Sequence, residues 1–198
     1  MSKKGLIIVN GFGVAEGIQH QLKRLKEELS KKGVPVDVRT STDIFSYLSE
    51  GYVKSTLPHY DFVIYTDKDR YIAEELERAG YHLFNSCSSI VKCDDKMLTH
   101  LLLSDQGIKM PTTISSPLCY RDDGNRKYLD NVIEIIGLPM IVKENYGSLG
   151  RQVYFVTNKN ELLDLENKLI HVPHIFQQFI ASSKGKDFFK IKSLSCVS

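Results

Sequence analysis

A lysine beside a glycine-containing loop is the feature of this sequence with the clearest capacity for chemistry. In GLPMIVKENYGSLGRQVYFV, residues 137–156, an apolar run ends at Lys143, and a polar loop with Gly147, Ser148 and Gly150 precedes a second apolar run. Glycines let backbone N–H groups approach an anion closely, and a lysine adds a positive point charge for phosphate oxygens. The hairpin is therefore a candidate phosphate site, although a lone lysine in this position is more often a solvated strand end.

A second lysine and a polar strand end extend the candidate site. Lys96, in CDDKMLTHLLL, lies in the first turn of an expected helix, where a cation is mildly disfavoured unless an anion binds nearby. In HIFQQFIASSKGKD, a strand carries Gln177, Gln178 and Phe179, and a turn of small residues leads to Asp187. An extended backbone can offer one N–H and one C=O to a purine edge, and Phe179 can pack against the base.

Other motifs favour simpler interpretations. The glycines of NGFGVAEG miss the GxGxxG spacing by one position, and only Asp37 lies near the end of the second strand, so a tight βα turn is favoured over a dinucleotide site. The signature GxxxxGK[ST] is absent. His171 and His174 have a proline between them and no evident third ligand, so a metal site there is the less favoured alternative.

Strands and helices are expected to alternate in the first half of the chain. Apolar runs predict strands at residues 6–9, 34–38, 62–65 and 82–84, and helical spacing of apolar residues predicts helices at 15–32 and 71–79. The segment between the second and third strands is expected to be a loop. This β-α-β-(loop)-β-α-β order predicts a small parallel sheet covered by helices.

The regular alternation of strands and helices ends after residue 84. We expect two short helices, a strand, a polar turn and a helix, then the lysine hairpin, a helix at residues 159–169 and a strand at 174–180. Composition, +2 net charge and 198 residues describe an ordinary globular chain, and they give no case for nucleic acid or a membrane partner. Because the four cysteines show no paired spacing, we expect reduced thiols and a cytoplasmic location.

Four segments in order resemble the ATP-grasp superfamily, most closely its RimK-like branch of glutamate ligases. They are NSCSSIVKCDDK, GIKMPTT, the lysine hairpin and QQFIASSKGKD. The resemblance implies an α/β fold with a small parallel Rossmann-like (pre-ATP-grasp) domain at residues 1–92 and the α+β lid subdomain of an ATP-grasp fold at 93–187. It also implies that the C-terminal catalytic subdomain is largely missing and that residues 188–198 form a tail outside the family.

The resemblance further implies a nucleotide site for ATP with Mg²⁺. Two lysines would contact the phosphates, the glycine loop would close over the triphosphate, the end of the last strand would meet the adenine, and a later aspartate would lie near the ribose. In that order, the implied residues are Lys96, Lys143, Gly147, Ser148, Gly150, Gln177, Gln178, Phe179 and Asp187. In full-length relatives, a carboxylate attacks the γ-phosphate to form an acyl phosphate, and an amine then displaces phosphate to form an amide.

The chain departs from the family pattern in two places. Gln178 occupies a position where relatives usually carry an acidic residue, and Asp187 lacks the arginine that usually follows it. The acidic and asparagine ligands for Mg²⁺ are also missing, so this chain is expected to supply none of them. A shortened gene product is therefore expected, in preference to a diverged last strand.

Three functions remain open at this point. The chain is expected to be related to ATP-dependent carboxylate–amine ligases, to bind ATP and to be inactive alone, which leaves open whether it is an enzyme. Alternatively, it is a non-catalytic module that binds a partner or forms a homodimer. A third alternative is one half of a split ligase, completed by a separate C-terminal chain.

Overall fold

The computed structural model describes residues 3–12, 16–148 and 150–181 of the chain. Two compact units divide it, Met1–Val91 (unit 1) and Lys92–Ser198 (unit 2). Asp187 and the expected tail at residues 188–198 lie outside the described residues. No helix in the described part of the chain has the length and apolar character needed to cross a membrane.

Unit 1 contains a four-stranded parallel sheet and a separate two-stranded hairpin. Its elements are β1 Gly5–Val9, α1 Glu16–Lys31, β2 Val36–Thr40, β3 Ser46–Ser49, β4 Tyr52–Ser55, β5 Phe62–Tyr65, α2 Arg70–Arg78, β6 Leu83–Phe84 and α3 Cys87–Asp94, the helix in which the division falls. The parallel sheet has the order β2-β1-β5-β6. This arrangement confirms the parallel sheet expected from the alternating runs, with β2 beginning two residues later than predicted.

The core of unit 1 lies between the central strands and helix α2. Every residue of β1 is buried, as expected for an inner strand of a parallel sheet. Leu6, Ile8 and Val63 share one apolar cluster with Leu76 of α2. Asp69 caps that helix by accepting hydrogen bonds from the backbone of Tyr71 and Ile72.

The hairpin of β3 and β4 corrects the loop expected between the second and third strands. The turn consists of Glu50 and Gly51, with φ of +54° and +81°, as a two-residue turn of type I′ requires. The hairpin is hard to recognise in the sequence because its strands are short and expose apolar side chains. Leu48 is 75% exposed and Tyr52 is 72% exposed, so neither contributes to a buried face.

Unit 2 has an antiparallel sheet with helices packed against it. Its elements are α4 Lys96–Leu103, β7 Thr113–Ser115, α5 Tyr128–Ile136, β8 Met140–Glu144, β9 Val153–Val156, α6 Lys159–Leu169 and β10 His174–Gln178. The sheet has the order β7-β10-β8-β9, and all of its pairs are antiparallel. Residues of α5 and α6 share a core with the inner strands; its fully buried members are Leu129, Met140, Val156, Leu162 and Phe176.

A buried polar pair connects helix α6 to strand β10. Glu166 Oε2 lies 2.9 Å from Nε2 of His174, and both side chains are buried. Burial acts to raise the pKa of Glu166, but the hydrogen bond to His174 is the largest of several interactions that together outweigh it and lower that pKa. His174 Nδ1 lies 2.7 Å from the carbonyl oxygen of Val172, so both ring nitrogens already have protein partners.

Candidate functional site

Unit 2 contains a cavity of about 390 Å³ where helix α4 faces the β8–β9 hairpin. The two lysines singled out in the sequence, Lys96 and Lys143, both line this cavity. The lining residues are Cys93, Lys96, Thr99, His100, Lys143, Gly150 and Val153. The cavity thus brings together residues that are separated by about fifty positions in the chain, in a volume typical of small-molecule sites.

Lys96 is positioned by the start of helix α4. Asp95 caps the helix, since its Oδ1 accepts a hydrogen bond from the backbone N–H of Leu98 at 3.0 Å. The Lys96 ammonium donates to the carbonyl oxygens of Asn145 at 3.3 Å and Gly147 at 3.4 Å, and its backbone N–H donates to Asn145. Lys96 therefore connects the beginning of α4 to the loop after β8.

Lys143 is positioned by the sheet. It lies in β8 opposite Val153 of β9 and Ile175 of β10. Its half-buried ammonium donates to Oε1 of Gln177 at 2.5 Å. Burial lowers the pKa of Lys143, and the positive charge of Lys96 lowers it further. The charged form of Lys143 is therefore less favourable than that of a solvated lysine, and a negative group in the cavity would favour it.

Gln177 is a buried member of the site rather than an open ligand. Its side-chain amide nitrogen lies 2.9 Å from Oγ1 of Thr113 and 2.9 Å from Nε2 of His100. Only 5% of the residue is exposed. Its side chain is thus fully engaged by neighbours on β7, β8 and α4.

The loop between β8 and β9 depends on glycine at two positions. Gly147 has φ of +139° and Gly150 has φ of +71°, conformations that residues with a Cβ rarely adopt. A Cβ on Gly147 would also meet the side chain of Gln152, with Cδ at 2.7 Å. Within the same loop, the carbonyl of Ser148 accepts a hydrogen bond from the backbone of Arg151 at 3.4 Å.

Among the described residues, two buried amide oxygens at this loop have no hydrogen-bond partner. They are Oδ1 of Asn145, a residue that is 8% exposed, and Oε1 of Gln152. A buried acceptor without a donor costs about 1–3 kcal/mol.

The other residues expected to hold the adenine and ribose lie at or beyond the end of β10. Gln178 is exposed, and its backbone N–H donates to the carbonyl of Thr112 at 2.8 Å. The ring of Phe179 packs edge-on against Phe155, with centroids 4.9 Å apart. Among the described residues, neither Gln178 nor Phe179 lines the cavity, and Asp187 falls outside the described range.

His100 and Thr113 are site residues that the sequence analysis missed. His100 stands four positions after Lys96 on α4, and this spacing places both on one face of the helix. That spacing is a usable signal for His100. No local sequence signal indicates Thr113, since its contact with Gln177 depends on the antiparallel pairing of β7 with β10.

The described lining of the cavity includes no carboxylate. Two acidic residues next to lining lysines in sequence have other partners: Glu144 accepts a hydrogen bond from the hydroxyl of Tyr154 at 2.7 Å, and Asp95 caps α4. Among the described residues, Glu74, Glu77 and Cys87 of unit 1 lie close enough to one another to share a metal ion. The two ammonium groups fit a polyanion, whereas the oxygen ligands that Mg²⁺ prefers are not among the described lining residues.

Residues 93–192 match the family described as the RimK-like ATP-grasp domain, and this range is just over half of the chain. The chain is 30% identical to β-citrylglutamate synthase B of Mus musculus and 31% identical to N-acetylaspartylglutamate synthase A of Homo sapiens, in each case over 125 residues. Each alignment covers 63% of this chain and 31% of the relative. The chain thus spans about a third of the length of these two relatives.

A solved structure of a RimK domain ATP-grasp protein from Sphaerobacter thermophilus has the same fold over most of the chain. The TM-score is 0.64 at 18% identity, with 90% of this chain and 65% of that chain covered. This likeness confirms the α/β fold class expected from the sequence, in the form of a partial ATP-grasp fold.

Proposed function

The chain belongs to the RimK-like ATP-grasp domain family, and from this premise we propose that unit 2 binds the phosphates of ATP. Lys96 and Lys143 contact the phosphate oxygens, and the loop of Gly147, Ser148 and Gly150 covers them. The observation that carries the proposal is the pair of ammonium groups in one cavity, whose repulsion helps to lower the pKa of Lys143. A bound phosphate offsets that repulsion and favours the charged form of Lys143.

The remaining nucleotide contacts are proposed at the end of β10. The adenine lies beside the backbone of Gln178 and Phe179, where the pairing of β10 with its neighbouring strands ends. Asp187 lies near the ribose. The side chain of Gln177 acts indirectly, because its oxygen accepts a hydrogen bond from Lys143.

The chemistry proposed for the complete reaction is amide formation through an acyl phosphate. The two lysines contribute by binding and orienting the triphosphate and by offsetting its charge. Mg²⁺ would supply further positive charge against the phosphates, but the described lining residues include no carboxylate to hold it. We therefore propose that this chain binds nucleotide and does not form an amide by itself.

Glutamate is the first amine to test as a substrate. The names of the two synthases identify products that contain glutamate, and the family resemblance points to carboxylate–amine ligation. The carboxylate substrate is proposed only as a class, a small molecule with a free carboxyl group.

Thermal unfolding of the purified chain with and without Mg·ATP tests the proposal. At an ATP concentration about 100 times the dissociation constant, binding adds about 2.7 kcal/mol to the free energy of unfolding. Lys143→Ala removes this stabilisation, whereas Lys109→Ala, which changes an exposed lysine outside the cavity lining, preserves it. Equal stabilisation of wild type and Lys143→Ala, or none in either, contradicts the proposed site.

A second candidate function is self-association or partner binding through unit 1. The β3–β4 hairpin carries exposed large side chains, with Tyr47 48%, Leu48 75% and Tyr52 72% exposed. Neighbouring residues of a strand point to opposite faces, so Tyr47 and Leu48 expose large side chains on both faces of the hairpin, and a bound partner would cover one of these faces. Sedimentation at increasing protein concentration tests self-association. Leu48→Lys is expected to weaken association that depends on the hairpin. A constant monomer mass of wild type contradicts self-association.

A further inference from the structure

Helix α4 and strand β10 are joined by one hydrogen bond between side chains that are 77 positions apart. It connects Nε2 of His100 with the side-chain nitrogen of Gln177 at 2.9 Å. The other ring nitrogen of His100, Nδ1, lies 2.7 Å from the carbonyl oxygen of Lys96. We call the four side chains of His100, Gln177, Lys143 and Thr113 the Gln177 network.

The partners of Gln177 determine the orientation of its amide. The Lys143 ammonium has only hydrogens to donate, so it faces the amide oxygen at 2.5 Å. The hydroxyl of Thr113 donates its hydrogen to the carbonyl of Pro111 at 2.9 Å, so it accepts from the amide nitrogen. Both neighbours therefore require the amide oxygen toward Lys143 and the NH₂ group toward Thr113 and His100.

This orientation determines which nitrogen of His100 carries its hydrogen. The NH₂ group of Gln177 has a second hydrogen to donate, so Nε2 of His100 accepts it and carries none itself. The backbone carbonyl of Lys96 can only accept, so Nδ1 carries the hydrogen. The network is satisfied by the neutral Nδ1–H form of the ring, since a hydrogen on Nε2 would face the hydrogens of Gln177.

We propose that His100 is a positioning residue for the phosphate site. As the acceptor for the second amide hydrogen, it holds the Gln177 oxygen against Lys143 and so keeps the Lys143 ammonium in the cavity. Without that acceptor, a buried N–H loses its partner and the amide has a reason to rotate away from Lys143. The effect on ATP rests on the proposed function, whereas the hydrogen placement on His100 does not.

Nitrogen NMR of the ¹⁵N-histidine-labelled chain, recorded without nucleotide, tests the hydrogen placement. The six histidines are distinguished by removing one signal at a time, and His100→Gln identifies the signal of interest. We expect the two-bond correlation pattern of a neutral ring with its hydrogen on Nδ1. A ring with its hydrogen on Nε2, or on both nitrogens, overturns the inference.

Binding of Mg·ATP by three variants of α4 tests the positioning role. His100→Leu removes the acceptor and is expected to weaken binding about fivefold. His100→Gln, whose side-chain oxygen can accept at the same place, is expected to stay within about twofold of wild type. Leu101→Gln, a change at a residue that is 57% exposed, is the matched control on the same helix and leaves binding unchanged.

The outcomes separate this inference from the proposed function. Unchanged binding in His100→Leu, or equal losses in His100→Leu and His100→Gln, overturns the positioning role. Absence of ATP binding by wild type contradicts the proposed function instead. In that case two measurements still test the Gln177 network. A hydrogen on Nδ1 of His100 supports it, together with slow exchange of the Gln177 side-chain hydrogens in wild type that is lost in His100→Leu.

Discussion

At the scale of single residues, Lys143 combines two properties that respond to pH in opposite ways. Its pKa is lowered, first by burial and then by the charge of Lys96. The folded chain therefore holds this proton less tightly than the unfolded chain, and the contribution of Lys143 to stability rises with pH. Phosphate binding needs the ammonium form, so affinity for ATP falls as the same proton is lost.

We predict that ATP affinity of wild type falls with rising pH over a range that lies below the one in which an ordinary lysine titrates. Over the same range, the free energy of unfolding of wild type rises relative to that of Lys143→Met, which has no proton to lose. Calorimetric titration with Mg·ATP and urea denaturation at each pH measure the two trends. If affinity and relative stability change in the same direction, Lys143 is not the titrating phosphate ligand.

At the scale of elements, local sequence signals predicted helix boundaries best where a capping residue stands directly before a clear helical spacing of apolar residues. Helix α6 occupies Lys159–Leu169 as expected, because Asn158 caps it by accepting a hydrogen bond from Glu161 at 3.0 Å. The lysines of the cavity were found because each stands at the edge of an apolar segment. Strand β10 ends at Gln178, two residues before the predicted end.

The parts that the sequence did not reveal depend on distant contacts. Gln177 meets His100 and Thr113, which are 77 and 64 positions away, through the packing of α4 and the pairing of β7 with β10. No local pattern encodes either distance. The sequence therefore singled out the two lysines that line one cavity, whereas the side chains that contact Gln177 beside Lys143 required the structure.

The β8–β9 loop yields a prediction about its glycine at position 147. Gly147→Ala places a Cβ at φ of +139° against the side chain of Gln152. Since backbone strain of this kind costs about 1–3 kcal/mol, we expect a loss of stability in that range, and about tenfold weaker binding of Mg·ATP because the loop proposed to cover the phosphates is displaced. Fluorescence titration and thermal unfolding measure these two effects.

Gly124→Ala provides the matched control for that loop. Gly124 has φ of +78° in the polar turn before α5, with open space around the position of a Cβ. It is expected to lose about 1 kcal/mol of stability while binding Mg·ATP like wild type. If both variants lose affinity equally, the loop has no particular role in the nucleotide site.

At the scale of the whole molecule, each unit has its own apolar core, and the described lining of the cavity belongs to unit 2 alone. The cavity offers positive charge without a carboxylate among its described residues, while ligation through an acyl phosphate requires Mg²⁺ held by oxygen ligands. From the described lining residues we therefore expect nucleotide binding and amide formation to be separate, because the cavity offers groups for the first and no metal ligand for the second.

We predict that the purified chain, given Mg·ATP, glutamate and a set of small carboxylates, releases no phosphate above background and forms no amide. Adding a separately produced C-terminal part of a RimK-like relative supplies carboxylate ligands and is expected to restore phosphate release in step with product. Mass spectrometry identifies the amide, and Lys143→Ala in the same mixture abolishes it. An amide formed by the chain alone contradicts the predicted separation, because the cavity would then hold its metal with residues other than those that line it here.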